Sequence, residues 1–298
     1  MKEKIVVILG PTASGKSSLA IKLAKKFKGE VISADSRQVY RRMDVGTGKV
    51  SKRERKVIPH YLLDVADPKK QFTVSEFVLL AQKAVRQITE KSKIPFVVGG
   101  TAFYIYSLID GLAIPQAKPS LKLRKALNRK TTEELGVILK NLDPKRYKTI
   151  DRSNRVRLIR AIEINVVTGK PVSYLVPFPR KRESRNILII GIKKDQPELI
   201  ELINKRVDAR LKQGMVKEVK QLIRSGVSHK RLQELGLEYR YISLYLQGKL
   251  SYEQMVDNLK TAIRQFAKRQ MTWFKRDSRI RWIRNEKEAE ILVRRFTQ

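Results

Sequence analysis

Cysteine is absent from the 298 residues, which excludes a disulfide framework and any thiolate metal site. No apolar run reaches the roughly 18 residues of a membrane-spanning helix. No internal repeat or extended low-complexity segment is present. The amino terminus runs directly into a strand pattern instead of a signal peptide, so a cytoplasmic location is expected. Acidic residues are scarce: 29 Asp and Glu face 65 Lys and Arg, a formal net charge of +36. A folded chain of that charge repels itself unless an anionic partner offsets it. Nucleic acid is the first candidate, and an acidic membrane surface is the other standard one. With 42% hydrophobic residues the chain can bury a proper core, as one large domain or two smaller ones, and a disordered tail protein is excluded.

Residues 4–9, KIVVIL, form a continuous apolar run rich in β-branched residues and ended by Gly10, the pattern of a central strand covered on both faces. Leu19, Ala20, Leu23, Ala24 and Phe27 then recur at helical spacing, with Gly29 placed to cap the helix. Further strands are expected at 31–34, 95–98 and 187–192, with an amphipathic helix over 74–88, and this alternation indicates a parallel α/β sheet. Between about Pro115 and Arg185 basic helical stretches replace the strand pattern. From Lys118 to Arg185 nineteen Lys and Arg stand against six Asp and Glu. In a segment interrupting an α/β core, phosphate contacts explain such an imbalance better than a solvated surface does. An inserted helical lobe is therefore expected at 115–185, between core parts at 1–114 and 186–298. Pro177 to Arg185, with prolines and a charge run, reads as the linker, and from Pro197 onward the pattern is almost wholly helical.

Residues 10–17, GPTASGKS, fit a phosphate-binding loop. Gly10, Pro11, Thr12, Ala13, Ser14, Gly15, Lys16 and Ser17 would surround a polyphosphate with backbone N–H groups, and Lys16 would add charge. The loop follows a buried-type strand and opens an amphipathic helix whose dipole favours the anion. Ser17 occupies the position that presents a hydroxyl to Mg²⁺. Nucleotide hydrolysis, phosphate transfer and departure of diphosphate from an alkyl carbon all need this neutralisation, so the cradle alone does not say which bond breaks.

Two more segments narrow the choice: residues 33–49, SADSRQVYRRMDVGTGK, after the second strand, and residues 97–111, VVGGTAFYIYSLIDG, after the third. With GPTASGKS and the C-terminal RQFAKRQMTWFKR at 264–276, they resemble the tRNA dimethylallyltransferases, also called tRNA isopentenyltransferases, along essentially the whole chain. The resemblance implies an α/β fold: a P-loop NTPase-like, nucleoside-kinase-like parallel sheet with an inserted helical lobe and a helical C-terminal part. It implies that dimethylallyl diphosphate and Mg²⁺ serve to prenylate N6 of the adenosine 3′ of the anticodon, in tRNAs reading codons that begin with U. A monomer that binds the tRNA anticodon stem-loop and no membrane is expected.

By the same resemblance, Thr12 to Ser17 would hold the diphosphate, and Asp35 would accept the proton lost as N6 attacks the allylic carbon. Asp35, Ser36, Arg37 and Gln38 would contact the flipped adenosine and its neighbours. Thr101 would sit at the tRNA substrate close to the reacting centre, and Arg206, within NKRVDARL, would assist at the diphosphate. In the lobe, RNA contacts would fall on Ile159, Arg160, Ala161, Ile162 and Glu163, and near Leu123. The residues by themselves leave these roles open. A strand-terminal aspartate suits a base or a turn former, Thr101 suits a helix N-cap, and Arg206 suits a solvent-facing helix position.

Chemistry on a base edge requires the nucleotide to leave its stack, which is cheaper in a single-stranded loop. At about 100° per residue, Lys260, Arg264, Lys268 and Lys275 fall within roughly 80° of arc, apart from Leu259, Ile263, Phe266 and Phe274. On so basic a chain this stripe is assigned to the RNA backbone. The chain departs from the family pattern at 235–243, LGLEYRYIS, where most relatives carry a glycine-tyrosine-basic-glutamate run. Ile263 and Phe266 also replace a usual threonine and tyrosine, and all these positions are expected to face RNA. Two rival readings are an ATP-dependent small-molecule kinase, in which YLLDV at 61–65 would supply Asp64 to Mg²⁺, and a non-catalytic RNA-binding GTPase or ATPase. The second leaves Asp35 and the GGT of 99–101 without a task.

Overall fold

In the computed structural model, which describes residues 3–111, 117, 119–172 and 186–298, strand β1 (Lys4–Leu9) is buried from Ile5 onward and has a parallel partner on each side. Those partners are β4 (Ile94–Gly99) and β5 (Asn186–Ile192). With β2 (Gly29–Ser33), β3 (His60–Tyr61) and β6 (Arg281–Ile283) they form a six-stranded sheet in the order β3-β2-β4-β1-β5-β6, parallel throughout. The apolar runs of β1, β2 and β4 carry no alternation because helices cover both faces. The two outermost strands have only two and three residues, too few to leave a readable pattern in the sequence.

Helix α1 (Lys16–Lys26) buries Leu19, Ala20, Leu23 and Ala24 against the sheet. Its end corrects the expected cap: the chain leaves the helix at Phe27 and turns through Lys28 at φ 49°, while Gly29 already belongs to β2. Gly29 is required for another reason, since a Cβ there would lie 2.3 Å from the ring of Phe96. After α2 (Lys52–Val57), helix α3 (Val74–Glu90) starts at a capping box in which Thr73 and Glu76 satisfy each other's backbone N–H groups. Helix α4 (Ala102–Ile109) follows β4.

The chain divides into two compact units, Met1–Ile109 with Glu183–Gln298, and Asp110–Arg182. The expected boundaries at 115 and 185 and the linker at 177–185 lie outside the described residues. In the first unit, the C-terminal helices are α9 (Gln196–Lys212), α10 (Met215–Arg224), α11 (His229–Leu235), α12 (Leu237–Leu246), α13 (Tyr252–Phe274) and α14 (Glu286–Thr297). Helices α9 to α13 bury Ile203, Val219, Leu235, Tyr239 and Leu259 together with Val39, Tyr40 and Met43, which follow β2. That cluster seats the segment after β2 among residues far away in sequence.

The second unit contains α5 (Leu121–Leu127), α6 (Thr132–Leu142), α7 (Pro144–Thr149) and α8 (Arg155–Thr168) around Leu127, Leu135, Leu139, Leu158 and Ile162. Its interior corrects the RNA contacts expected on α8. Ile159, Ala161 and Ile162 are buried in that core, and Leu123 packs against it, so their side chains are committed to folding. The Glu163 side chain is fully buried. It accepts from the Ser120 backbone at 2.8 Å, from Arg124 at 2.7 and 2.8 Å, and from Arg160 at 2.6 Å. Burial pushes the Glu163 carboxyl up, but these hydrogen bonds and charges outweigh it and hold the group below the usual range. Of the five, Arg160 alone keeps a partly exposed side chain. Glu163→Gln should therefore lower stability by about 2 kcal/mol, less than a fully buried pair because both arginines reach solvent. Denaturant unfolding measures this, and unchanged unfolding with weakened RNA binding would return Glu163 to the RNA surface.

Candidate active site

The phosphate loop begins where β1 ends. Gly10 adopts φ 152°, and a Cβ there would meet the Ile192 carbonyl at 3.1 Å. Gly15 turns left-handed at φ 86° and caps α1, placing the N–H groups of Lys16 and Ser17 at the positive end of the helix dipole. The Lys16 ammonium donates to the Pro11 carbonyl at 2.6 Å. Desolvation, and then the nearby Arg206 guanidinium, lower Lys16 to about 7, while the Asp35 carboxylate opposes them. Arg206, on α9, donates to the Thr12 hydroxyl and is lowered to about 10 by burial and by Arg210. Its buried Nε and the buried Ser14 hydroxyl have no hydrogen-bond partner among the described residues. Both residues line one cavity of about 530 Å³. Two cations, an unpaired guanidinium N–H and a helix N-terminus converging on one space form a polyanion site.

Sheet order places the acceptor-side residues. Because β4 lies between β1 and β2, Asp35 is not directly beside the phosphate loop but across the end of β4. Gly99 and Gly100 make that crossing possible: a Cβ on Gly99 would lie 2.1 Å from the Ala34 carbonyl, and one on Gly100 2.2 Å from Gln270 Nε2. Asp35 and Thr101 consequently line the same cavity as Lys16, Ser17 and Arg206. Asp35 Oδ1 accepts from the backbone of Arg37 at 2.8 Å and Gln38 at 3.3 Å, so it is a turn former. Among the described residues no donor engages its Oδ2. Thr101 stands at the N-terminus of α4, yet its hydroxyl accepts from the Ser36 backbone at 3.1 Å, tying the end of β2 to the end of β4. Gln38 donates to the carbonyls of Thr47 at 3.4 Å and Gly48 at 3.3 Å.

Long-range contacts supply cavity residues that local pattern could not assign. Gln270, on α13, accepts from the Thr12 backbone at 2.8 Å and donates to the Gly100 carbonyl at 2.9 Å, joining the phosphate loop to the β4 end. It lies inside the quoted RQFAKRQMTWFKR, where side-chain amides carry no local signal of a partner. Arg210, Glu238 and Arg240 line the cavity as well. So do Ile263, which is buried, and Phe266, whose ring stays exposed. The basic stripe divides: Arg264 is partly exposed and Lys268 and Lys275 are exposed, but Lys260 is paired with Asp208 at 2.7 Å. Asp64 is held by Lys49 at 2.6 Å and Arg55 at 2.7 Å and lies outside the cavity, so the kinase reading loses its Mg²⁺ carboxylate.

Mg²⁺ fits the remaining donors. Among the described residues no group of three or more His, Cys, Asp or Glu could hold a metal ion. Mg²⁺ keeps several waters and binds through one or two protein oxygens plus substrate phosphates, a set that the Ser17 hydroxyl and a diphosphate in this cavity can supply.

The low value of Lys16 gives a pH prediction. A diphosphate favours the charged ammonium, so binding above about pH 7 must take up a proton, and affinity should fall as pH rises through about 7.5 to 9. Calorimetry in buffers of different ionisation enthalpy should show up to one proton bound at pH 8, and Lys16→Ala should abolish it. Equal uptake in Lys16→Ala would exclude the lysine as the group.

Residues 38–277 match the family model described as IPP transferase. The chain is 43% identical over 289 residues to the tRNA dimethylallyltransferase of Acetivibrio thermocellus, covering 95% of this chain and 92% of that one. Its structure is similar to the crystal structure of the tRNA isopentenylpyrophosphate transferase of Bacillus halodurans, with a TM-score of 0.73 and 34% identity, over 99% of this chain and 96% of the other. A eukaryotic dimethylallyltransferase captured acting on tRNA gives a TM-score of 0.79 at 29% identity, over 91% of this chain and 70% of that one.

Proposed function

The chain belongs to the IPP transferase family, and from that premise we propose that it transfers a dimethylallyl group from dimethylallyl diphosphate to N6 of the adenosine 3′ of the anticodon in tRNA. One observation carries the reading: the polyanion cradle of Lys16 and Arg206 shares its cavity with Asp35 and Thr101, which come from two other strand ends. A kinase would use a cradle and a base as well. What sets this site apart is that the chain belongs to the IPP transferase family and that Asp64, the carboxylate a kinase would offer Mg²⁺, is tied to Lys49 and Arg55 outside the cavity.

In the proposed reaction the N6 nitrogen forms a bond to the allylic carbon while the carbon–oxygen bond to diphosphate breaks, and the electron pair leaves with the diphosphate. Lys16, Arg206 and the loop N–H groups stabilise the charge that grows on the departing oxygens. The N6 proton passes to Asp35, whose Oδ1 is fixed by the Arg37 and Gln38 N–H groups, leaving Oδ2 for the proton. The Ser17 hydroxyl would hold Mg²⁺, which when bound adds further charge neutralisation at the diphosphate. The net charge of +36 and the exposed Arg and Lys of α5 to α8 support binding to the RNA backbone, as do Arg264 and Lys268 on α13. No helix among the described residues is long and apolar enough to cross a membrane. A cytoplasmic monomer is part of the proposal.

Incubation with radiolabelled dimethylallyl diphosphate and unmodified tRNA should place label on adenosine N6. Cleavage or transfer of the ATP γ-phosphate without alkylation would favour the kinase reading instead.

A further inference from the structure

Residues 44–48, DVGTG, form one wall of the cavity through Gly46, Thr47 and Gly48. Nothing in their local sequence explains what holds the wall in place. Its backbone presents three successive N–H groups, those of Asp44, Val45 and Gly46, and all three point at one buried carboxylate. Glu218, on α10, accepts from them at 2.7, 2.7 and 3.0 Å. Such a concave run of N–H groups binds an anion, and here the protein fills it with its own side chain. The Tyr239 hydroxyl donates to the same carboxylate at 2.8 Å. Burial, and then the Glu218 charge, push the Tyr239 phenol well above its usual value, so it stays protonated and donating. On the carbonyl side, Arg210 donates to Gly46 O at 3.1 Å and pairs with Glu238 at 3.5 Å.

The glycines of the wall follow from this brace. A Cβ at Gly46 would lie 2.7 Å from the Tyr239 hydroxyl, and one at Gly48 1.6 Å from the Arg210 guanidinium. Two residues of the 235–243 stretch are tied to the wall indirectly, Tyr239 through Glu218 and Glu238 through Arg210. The far side of the wall is held by Gln38, which follows Asp35, whereas the diphosphate loop is held separately by Arg206 and Gln270.

We propose that Glu218, with Tyr239, is a positioning residue that sets the 44–48 wall against the acceptor base and leaves the diphosphate cradle untouched. The proposal rests on the transfer reading above. It requires effects on tRNA turnover without effects on diphosphate binding. Glu218→Gln turns one accepting oxygen into an N–H₂ facing backbone donors, so the wall must shift. A shift near 1 Å lowers kcat/KM for tRNA by about 10- to 100-fold. Tyr239→Phe removes one of the four hydrogen bonds and lowers it by about 3- to 10-fold. Inorganic diphosphate should bind both variants within about twofold of the parent protein, since Lys16 and Arg206 are outside the brace.

The test combines single-turnover transfer to tRNA with calorimetric binding of inorganic diphosphate on both variants and the parent. Slow transfer with unchanged diphosphate affinity supports the assignment. Parental transfer rates, or diphosphate affinity falling in step with transfer, overturn it, the latter because a merely structural residue would loosen both halves of the cavity. If Glu218→Gln does not fold, Tyr239→Phe decides by the same split. Absence of transfer by the parent protein would instead refute the transfer reading, and the two failures are thereby distinct.

Discussion

Asp35→Asn should bind both substrates and transfer slowly. The substitution keeps the side-chain shape and an oxygen that can accept from the Arg37 and Gln38 N–H groups, so the turn after β2 should survive. What it removes is the negative charge that takes the N6 proton as the carbon–nitrogen bond forms. General-base assistance is worth about 10² to 10⁴ in rate, or roughly 3 to 5 kcal/mol at the transition state. Single-turnover measurement with saturating tRNA and diphosphate isolates the chemical step, whereas a steady-state rate could report product release. A near-normal single-turnover rate would leave Asp35 as a turn former only, a role its Oδ1 already fills.

The second large effect is expected for Arg206→Ala. Arg206 is buried, and its Nε has no partner among the described residues. Holding such a group next to Lys16 costs desolvation and repulsion, which an arriving diphosphate relieves. Charge on the leaving oxygens grows as the carbon–oxygen bond breaks, so loss of the guanidinium should slow transfer by about 10² to 10³, beyond its effect on diphosphate binding. Arg206→Lys should recover part of the rate, because it restores charge without the planar fork. Equal losses in diphosphate affinity and in transfer rate per bound complex are not expected. If the bound complex reacted at the parental rate, Arg206 would be a binding residue alone.

The legible parts of this site share one property: their residue types and spacing are local. A glycine-bounded loop between an apolar run and an amphipathic helix identifies Lys16 and Ser17 without knowledge of the rest of the chain. Asp35 and Thr101 stand just beyond their strands, where side chains meet a common crevice, but locally they suit a turn former and a helix N-cap equally well, and their roles were read from the family resemblance. The same locality explains the errors. Ile159 to Glu163 sit on a helix whose buried and exposed faces depend on α5 and α6 packing against it, and Glu163 looks like any surface charge until Arg124 and Ser120 are brought to it. Lys260 fits the basic stripe by angle, but Asp208 from another helix occupies it.

From the sequence by itself came the parallel α/β core, the phosphate loop on β1 and the strongly cationic chain, while the role of Asp35 toward the base came from the family resemblance. Tertiary structure alone decided that β4 separates β1 from β2, so that Gly99 and Gly100 must lack side chains for the two halves of the site to share a cavity. It also decided that Arg206 and Gln270 meet Thr12 across 194 and 258 residues, and that Glu218 meets Gly46 across 172. Hydrophobic periodicity records only which face of an element is buried. A buried carboxylate or amide records nothing about its partner, because its hydrogen bonds are chosen by the topology that brings distant backbone N–H groups within 3 Å of it.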